Sequence, residues 1–323
     1  MSFDIARRGL VLAALISAAS PVAHAQDSYP TRPVRLVVGF AAGGPTDIPA
    51  RFIADKLGSL LGQRVVVENK TGAGGMLATR DVLALPRDGY NLLLCTHFES
   101  INVAVYRNPQ YKLDDLAPIS LVSKYYYGIT LSNSVPADDL DSFIRYAKAN
   151  PGKISYATIG AGSAQDIFGR QLERLTGTSM TAVPYRGGAN VLQDLLTGLV
   201  QLYVAPTANV MPLAEEKKIK MIVTSSPERL KAAPDVPTLR EKGIDFVRFG
   251  WLGICAGAGT PQPVLQVLNK HVQTIVASAD YRELIEKSGS IPESSTPEEL
   301  RRIIEQTRIE VDSTVKEFGL QRD

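Results

Sequence analysis

Two short loops hold the residues whose types and spacing point most directly to chemistry. Phe40-Ala-Ala-Gly-Gly-Pro-Thr-Asp47 follows an apolar, strand-like run and precedes a helical one. Glycines there let backbone N–H groups approach a ligand, and a helix N-terminus adds unpaired donors with a partial positive charge. The combination is a seat for a carboxylate or phosphate. Phe40, Ala42, Gly43, Thr46 and Asp47 are its candidate contacts, with the Thr46 hydroxyl as an extra donor. Thr158-Ile-Gly-Ala-Gly-Ser163 repeats the strand, glycine and helix order further along, and gives Thr158, Gly160, Gly162 and Ser163. Either loop alone reads equally as an ordinary strand-to-helix turn, but two that face each other would make a cleft. Asp166 has two readings. As the third helical residue after a Ser163 cap it completes a capping box. Turned into the cleft, it would repel a second ligand carboxylate. Thr96 and Thr207 follow strand-like runs and are further cleft candidates; His97 reads as cleft or as solvated loop.

Catalytic and metal-binding constellations are hard to assemble. Beyond the first 25 residues the histidines are His97 and His271, and His271 lies beside Lys270 in an amphipathic helical stretch. There is no G-x-S-x-G elbow and no G-x-x-x-x-G-K-[ST] phosphate loop. The clusters Gly72-Ala-Gly74, Gly160-Ala-Gly162 and Gly257-Ala-Gly259 lack the third glycine of a dinucleotide fingerprint. Two cysteines, Cys95 and Cys255, cannot supply a zinc set, and each ends a strand-like run. An oxidising compartment would allow them to pair, but the expectation is two buried, unpaired cysteines. Binding without catalysis, cofactor or metal is the expectation.

The elements that must position these loops alternate. Val34 to Phe40, Val65 to Glu68, Tyr90 to Cys95, Ile154 to Ala157, Thr181 to Tyr185, Val200 to Val204 and Lys218 to Val223 read as strands. Between them Thr46 to Leu61, the stretch from Gly72-Ala-Gly-Gly75 through Leu83, Asp141 to Ala149, Ser163 to Leu175 and Ala189 to Thr197 read as helices. Two helices close the chain, one after Thr260-Pro261 and one opened by Thr296-Pro-Glu-Glu299. The pattern predicts α/β lobes on largely parallel, mixed sheets with helices on both faces. A chain of 323 residues outgrows a single core and is expected to split. The αβ series is interrupted by a second series and then resumes. Residues 26–123 plus 251–323 are therefore expected to form one discontinuous domain, with 124–250 as the other. The chain should cross near Tyr125–Tyr127, read as strand packing, and again near Phe246–Trp251.

At the N-terminus, Arg7-Arg8, the apolar run Gly9 to Ala19 and Ala23-His-Ala25 read as a cleaved secretory signal over 1–25. No later stretch approaches a membrane span. A formal charge of +2 argues against a nucleic-acid footprint.

The order of short motifs along the chain resembles the substrate-binding proteins of tripartite tricarboxylate transporters, the Bug receptors. The motifs are Tyr29-Pro-Thr-Arg-Pro33, Phe40 to Asp47, Val67-Glu-Asn69 with Gly72-Ala-Gly-Gly75, Asp88-Gly-Tyr90, Gly160-Ala-Gly-Ser-Ala-Gln165, Val183-Pro-Tyr-Arg-Gly187, Pro234-Asp-Val-Pro-Thr238 and Gly259-Thr-Pro261. The resemblance implies a two-lobed periplasmic-binding-protein (Venus flytrap) fold with a small carboxylate in the interlobe cleft. It implies a monomer, located in the periplasm, that serves membrane permease subunits. Loop backbone groups, hydroxyls and waters would hold the ligand. Asp166, Gln201 and Gly257 stand where relatives often carry histidine, aspartate and proline. A ligand-sensing component of a signalling system and a secreted α/β enzyme are the competing readings.

Overall fold

In the computed structural model, residues 29–321 are described except 161, 186 and 187. The signal segment expected at 1–25 and Arg186 lie outside the described residues. Among those described, the strands are β1 (Val34–Val38), β2 (Val65–Asn69), β3 (Asn91–Thr96), β4 (Leu116–Ser132), β5 (Ser155–Thr158), β6 (Thr181–Pro184), β7 (Leu202–Pro206), β8 (Ile219–Thr224), β9 (Phe249–Gly257) and β10 (Ser290–Pro292). The helices are α1 (Asp47–Leu61), α2 (Met76–Leu83), α3 (His97–Val105), α4 (Leu140–Ala149), α5 (Ala164–Thr176), α6 (Gly188–Thr197), α7 (Thr207–Glu215), α8 (Gln262–Ala277), α9 (Ala279–Lys287) and α10 (Pro297–Phe318).

The sheet runs β2-β1-β3-β9-β4-β7-β5-β6, with β10 and β8 paired to β4 outside that path. The 17-residue β4 belongs to both ends. Its first part, Leu116 to Tyr126, pairs with β9, and Ser123 to Tyr125 also pair with β10. From Tyr127 onward its partners are β7 and β8. Both edges of one strand thus change partners within a few residues. β1, β2 and β3 pair parallel, as do β5, β6 and β7, while β9 and β4 run antiparallel to their neighbours. This is the mixed sheet of a two-lobed α/β protein.

Each half is covered on both faces, so its inner strands read as continuous apolar runs. Alternation sorts the side chains. Leu92 and Leu94 join Ile53, Leu57 and Leu268 in one core, whereas Leu93 and Cys95 join Trp251, Leu300 and Ile304 in another. On β7, Leu202 and Val204 pack with Phe143 and Phe168, and Tyr203 and Ala205 with Val191 and Leu195.

The expectation for the cysteines is overturned. Cys95 and Cys255 form a disulfide with their Cα atoms 5.8 Å apart. Cys95 lies opposite Gly253 on the antiparallel β3–β9 pair, and Cys255 opposite Leu93. The two are therefore diagonal neighbours on one face of adjacent strands, a relation that required knowing the strand pairing. Three helices were not anticipated: α3, α7 and α9. No helix among the described residues is long and apolar enough to cross a membrane.

Candidate ligand-binding cleft

The two glycine loops fold by the same device. In the first, the buried Asp47 carboxylate accepts the Gly43 N–H at 2.8 Å, Arg51 Nε at 2.7 Å and Asn69 Nδ2 at 2.7 Å. Asn69 also donates to the Phe40 carbonyl. Burial would raise the Asp47 pKa, but the hydrogen bonds from Arg51, Gly43 and Asn69 outweigh it and hold the carboxyl below its ordinary range. In the second loop, the buried Asp166 accepts the Gly162 N–H at 2.8 Å, Arg170 Nε at 3.0 Å and the Tyr156 hydroxyl at 3.3 Å. Glycine, acid and arginine stand four residues apart in both, and Gly43 and Gly162 take the left-handed backbone with φ of 73° and 77°. Each carboxylate clamps its own turn and is about 1% exposed.

Ser163 caps α5, its hydroxyl accepting the Asp166 N–H at 3.3 Å. The box is left open on its other side, because the Ser163 N–H goes to the Gly160 carbonyl and the Asp166 carboxylate to Gly162. Thr158 Oγ1 accepts the Gly160 N–H at 3.3 Å. Thr96 caps α3 with a complete box, accepting from the Phe98 N–H while Glu99 accepts from Thr96. Burial pushes the Glu99 carboxyl up to about 7, against hydrogen bonds from Thr96 and Thr79 that lower it. Thr207 opens α7, its hydroxyl 3.1 Å from both the Tyr126 and Gly289 carbonyls.

His97 is buried, not solvated. Nδ1 lies 3.4 Å from the Tyr125 hydroxyl and Nε2 3.3 Å from that of Tyr127. Burial lowers its pKa to about 4, opposed by a backbone hydrogen bond at Trp251, so the ring is neutral at pH 7. The Tyr125 and Tyr127 side chains thus belong to this cluster as well as to strand packing.

Cavities lie on either side of the cluster. The larger, of 530 Å³, is lined by His97, Tyr127, Phe168, Gln171, Arg248 and Glu310, among others. The smaller, of 270 Å³, is lined by Gly43, Pro45 and Thr46 from the first loop, Ser123 and Tyr125 from β4, and Pro206, Ala208 and Asn209 at the start of α7. Leu252, Leu284 and Ile285 form its apolar part. Thr46 Oγ1 is buried without a hydrogen-bond partner among the described residues.

The structure therefore brings Gly43 and Thr46 together with the helix that Thr207 opens. It does not bring Thr158, Gly160, Gly162 or Ser163 into the lining of either cavity. Gly162 instead abuts Val105 of α3, where an added Cβ would stand 2.8 Å from Val105 Cγ1. Phe40 stacks on Phe98, with ring centroids 5.4 Å apart, and Ala42 is exposed. Ser123, Asn209 and Ser290 escaped sequence reading. Asn209 sits three residues before Pro212, which reads as a helix breaker yet lies inside α7. Among the described residues no cluster of three or more histidine, cysteine, aspartate or glutamate side chains could hold a metal.

Known proteins share this fold. The sequence profile of the tripartite tricarboxylate transporter family receptor matches residues 49–320. A Cupriavidus necator protein, described as the UPF0065 protein in the gbd 5' region, is 33% identical over 326 residues, covering 98% of each chain. The solved periplasmic binding protein BugD is 34% identical, superposes with a TM-score of 0.81, and covers 91% of this chain and 100% of its own. MatC from Rhodopseudomonas palustris, solved with bound malate, is 31% identical with a TM-score of 0.79 and covers 89% and 100%. The chain belongs to the tripartite tricarboxylate transporter receptor family, a family of solute-binding receptors and not of enzymes.

Proposed function

We propose that this receptor captures a small carboxylate between its lobes in the periplasm and delivers it to the permease subunits of a tripartite transporter. The observation that carries the reading is the 270 Å³ cavity lined jointly by the Gly43–Thr46 loop and the start of α7. Two helix N-termini from opposite lobes converge there, and such ends favour anions. Gly43 and Thr46 are the ligand contacts from one lobe and the α7 start beside Thr207 from the other. Asp47, Thr96, Thr158, Ser163 and Asp166 shape the loops, since their polar atoms are already engaged.

The lobes comprise 26–123 plus 251–323 and 124–250, a division supported by the change of β4 partners between Tyr126 and Tyr127. Export through a signal over 1–25 and a monomeric state complete the proposal; malate in the related MatC structure supports the carboxylate. Mass spectrometry of small molecules released by denaturing the purified protein, followed by thermal-shift titration of the released species, tests it. An unmodified carboxylate that raises the melting temperature supports the reading. A released ligand without an acidic group defeats it.

A further inference from the structure

We infer that the smaller cavity selects a monocarboxylate with an apolar body, an aromatic or short aliphatic acid, over di- and tricarboxylates. The inference rests on the receptor reading above and names the ligand class of the same site.

Among the described residues, no charged side chain lines this cavity. Its polar groups are hydroxyls and one amide: Thr46, Ser123, Tyr125, Asn209, Ser288 and Ser290. Charge compensation must therefore come from the helix ends. The two ends differ. The α1 terminus is already filled by the Asp47 carboxylate, which takes the Gly43 N–H and pairs with Arg51. The α7 terminus has no acidic residue in its first turn and no side-chain cap. Its first N–H groups have no partner within the helix. Ala208 and Asn209 of this turn line the cavity, and the unpartnered Thr46 hydroxyl lies across from them in the same lining. That makes one carboxylate seat.

Apart from Gly43 and the hydroxyls of Ser123, Tyr125, Ser288 and Ser290, the remainder of the lining is Leu252, Leu284, Ile285, Ile48 and the prolines. A second carboxylate there would lose its water and meet only neutral hydroxyls, with no cation or free helix end to compensate its charge, which is unfavourable. An apolar ring or chain would instead gain by burial. The volume lies just below the roughly 300–1,000 Å³ range of drug-sized pockets, which suits a small acid. The larger cavity differs in carrying charged side chains, Arg248, Arg302, Glu305 and Glu310, at an otherwise largely apolar wall.

The test is calorimetric titration of the full secreted chain, freed of co-purified ligand, with benzoate, hexanoate, adipate, citrate and benzamide. Benzoate or hexanoate should bind at least tenfold more tightly than adipate or citrate, and benzamide at least tenfold more weakly than benzoate. Asn209→Asp places a carboxylate in the first turn of α7, where the helix tolerates it, and should lower benzoate affinity at least tenfold with circular dichroism unchanged. Arg248→Ala should leave it within twofold. Adipate or citrate binding as tightly as benzoate would overturn the inference while leaving the carboxylate receptor standing. Loss of binding in Arg248→Ala with none in Asn209→Asp would also overturn it, by moving the ligand to the larger cavity. Binding of benzamide as tight as benzoate would defeat both readings.

Discussion

Asp47 and Asp166 are acids at the mouths of helices, in glycine-containing loops, and both turn inward. Each exchanges a chance of meeting the ligand for control of its own backbone turn. Removing one leaves a glycine N–H without its acceptor, at a cost of about 1–3 kcal/mol. Asp166→Ala should therefore lower stability by that amount in urea titration. The ratio of mono- to dicarboxylate affinity should stay as it is, and a shifted ratio in calorimetry would put the carboxylate in the cleft after all. Glu99 and His97, in the first turn of α3, pull stability in opposite directions with pH. The Glu99 pKa rises from 4.5 unfolded to about 7 folded, so its contribution is complete below pH 4.5 and is lost as pH rises through 7. The His97 pKa falls from 6.5 to about 4, so its contribution is present above 6.5 and is lost as pH falls through 4. Between those limits the two slopes oppose one another. Glu99→Gln, with its amide facing the Thr79 hydroxyl, should gain up to about 3 kcal/mol at pH 8 relative to the parent and almost nothing at pH 4.5. Equal gains at both pH values in denaturant melts would contradict the assignment.

At the scale of elements, legibility followed hydrophobic contrast. The α1 stripe, read over Ile48, Phe52, Ile53, Leu57 and Leu60, and the Thr296 capping box of α10 were readable because one face is apolar or one cap has a fixed spacing. Only Ile53 and Leu57 of that stripe are fully buried, and Ile48 and Leu60 are exposed. The helix α3 was not, because His97, Glu99, Ser100 and Asn102 are buried along with its apolar residues, leaving no polar face to mark the period. The helix α7 was hidden by Pro212, and with it went Asn209 and that side of the cavity. Loop identities, by contrast, were plain from Gly43, Asp47, Gly162 and Asp166, yet the direction of the two carboxylates depended on Arg51 and Arg170, one turn further on. The cysteine pairing was invisible because register between β3 and β9 is a long-range property. Denatured, unreduced protein should take up no alkylating label at Cys95 or Cys255, as read by intact mass. Cys95→Ala should cost roughly 2–5 kcal/mol, the usual range for losing a native crosslink. Label on both cysteines without a reductant would refute the pair.

Across the whole molecule the lobes meet beside the larger cavity, whose lining shares Ile101, Ile167, Gln171 and Val311 with the contact. Gln171 of α5 donates to Thr314 of α10 at 2.7 Å, and Arg174 reaches Glu317 at 2.8 Å. Ile101 and Val105 pack with Ile167, Val311 and Val315 in a shared apolar cluster. Gly162 sits against Val105 at this contact, so Gly162→Ala must push the lobes apart or strain a left-handed backbone. Ligand affinity should fall about three- to tenfold, with a larger radius of gyration in the liganded state by X-ray scattering; unchanged values would show that the contact is slack. The shared strand β4 has one more consequence, and it concerns time. β3 finds its neighbour β9 only after some 150 residues have intervened, and β9 then also pairs with β4. The middle segment, from Tyr127 to β8, can complete its own pairings from contiguous chain. As the chain is synthesised, N-terminus first, it would thus close its later-numbered lobe first. The exposed edge of β3 must wait for the last quarter of the polypeptide, and during that interval it is the part most open to a chaperone, a protease or a second copy of itself.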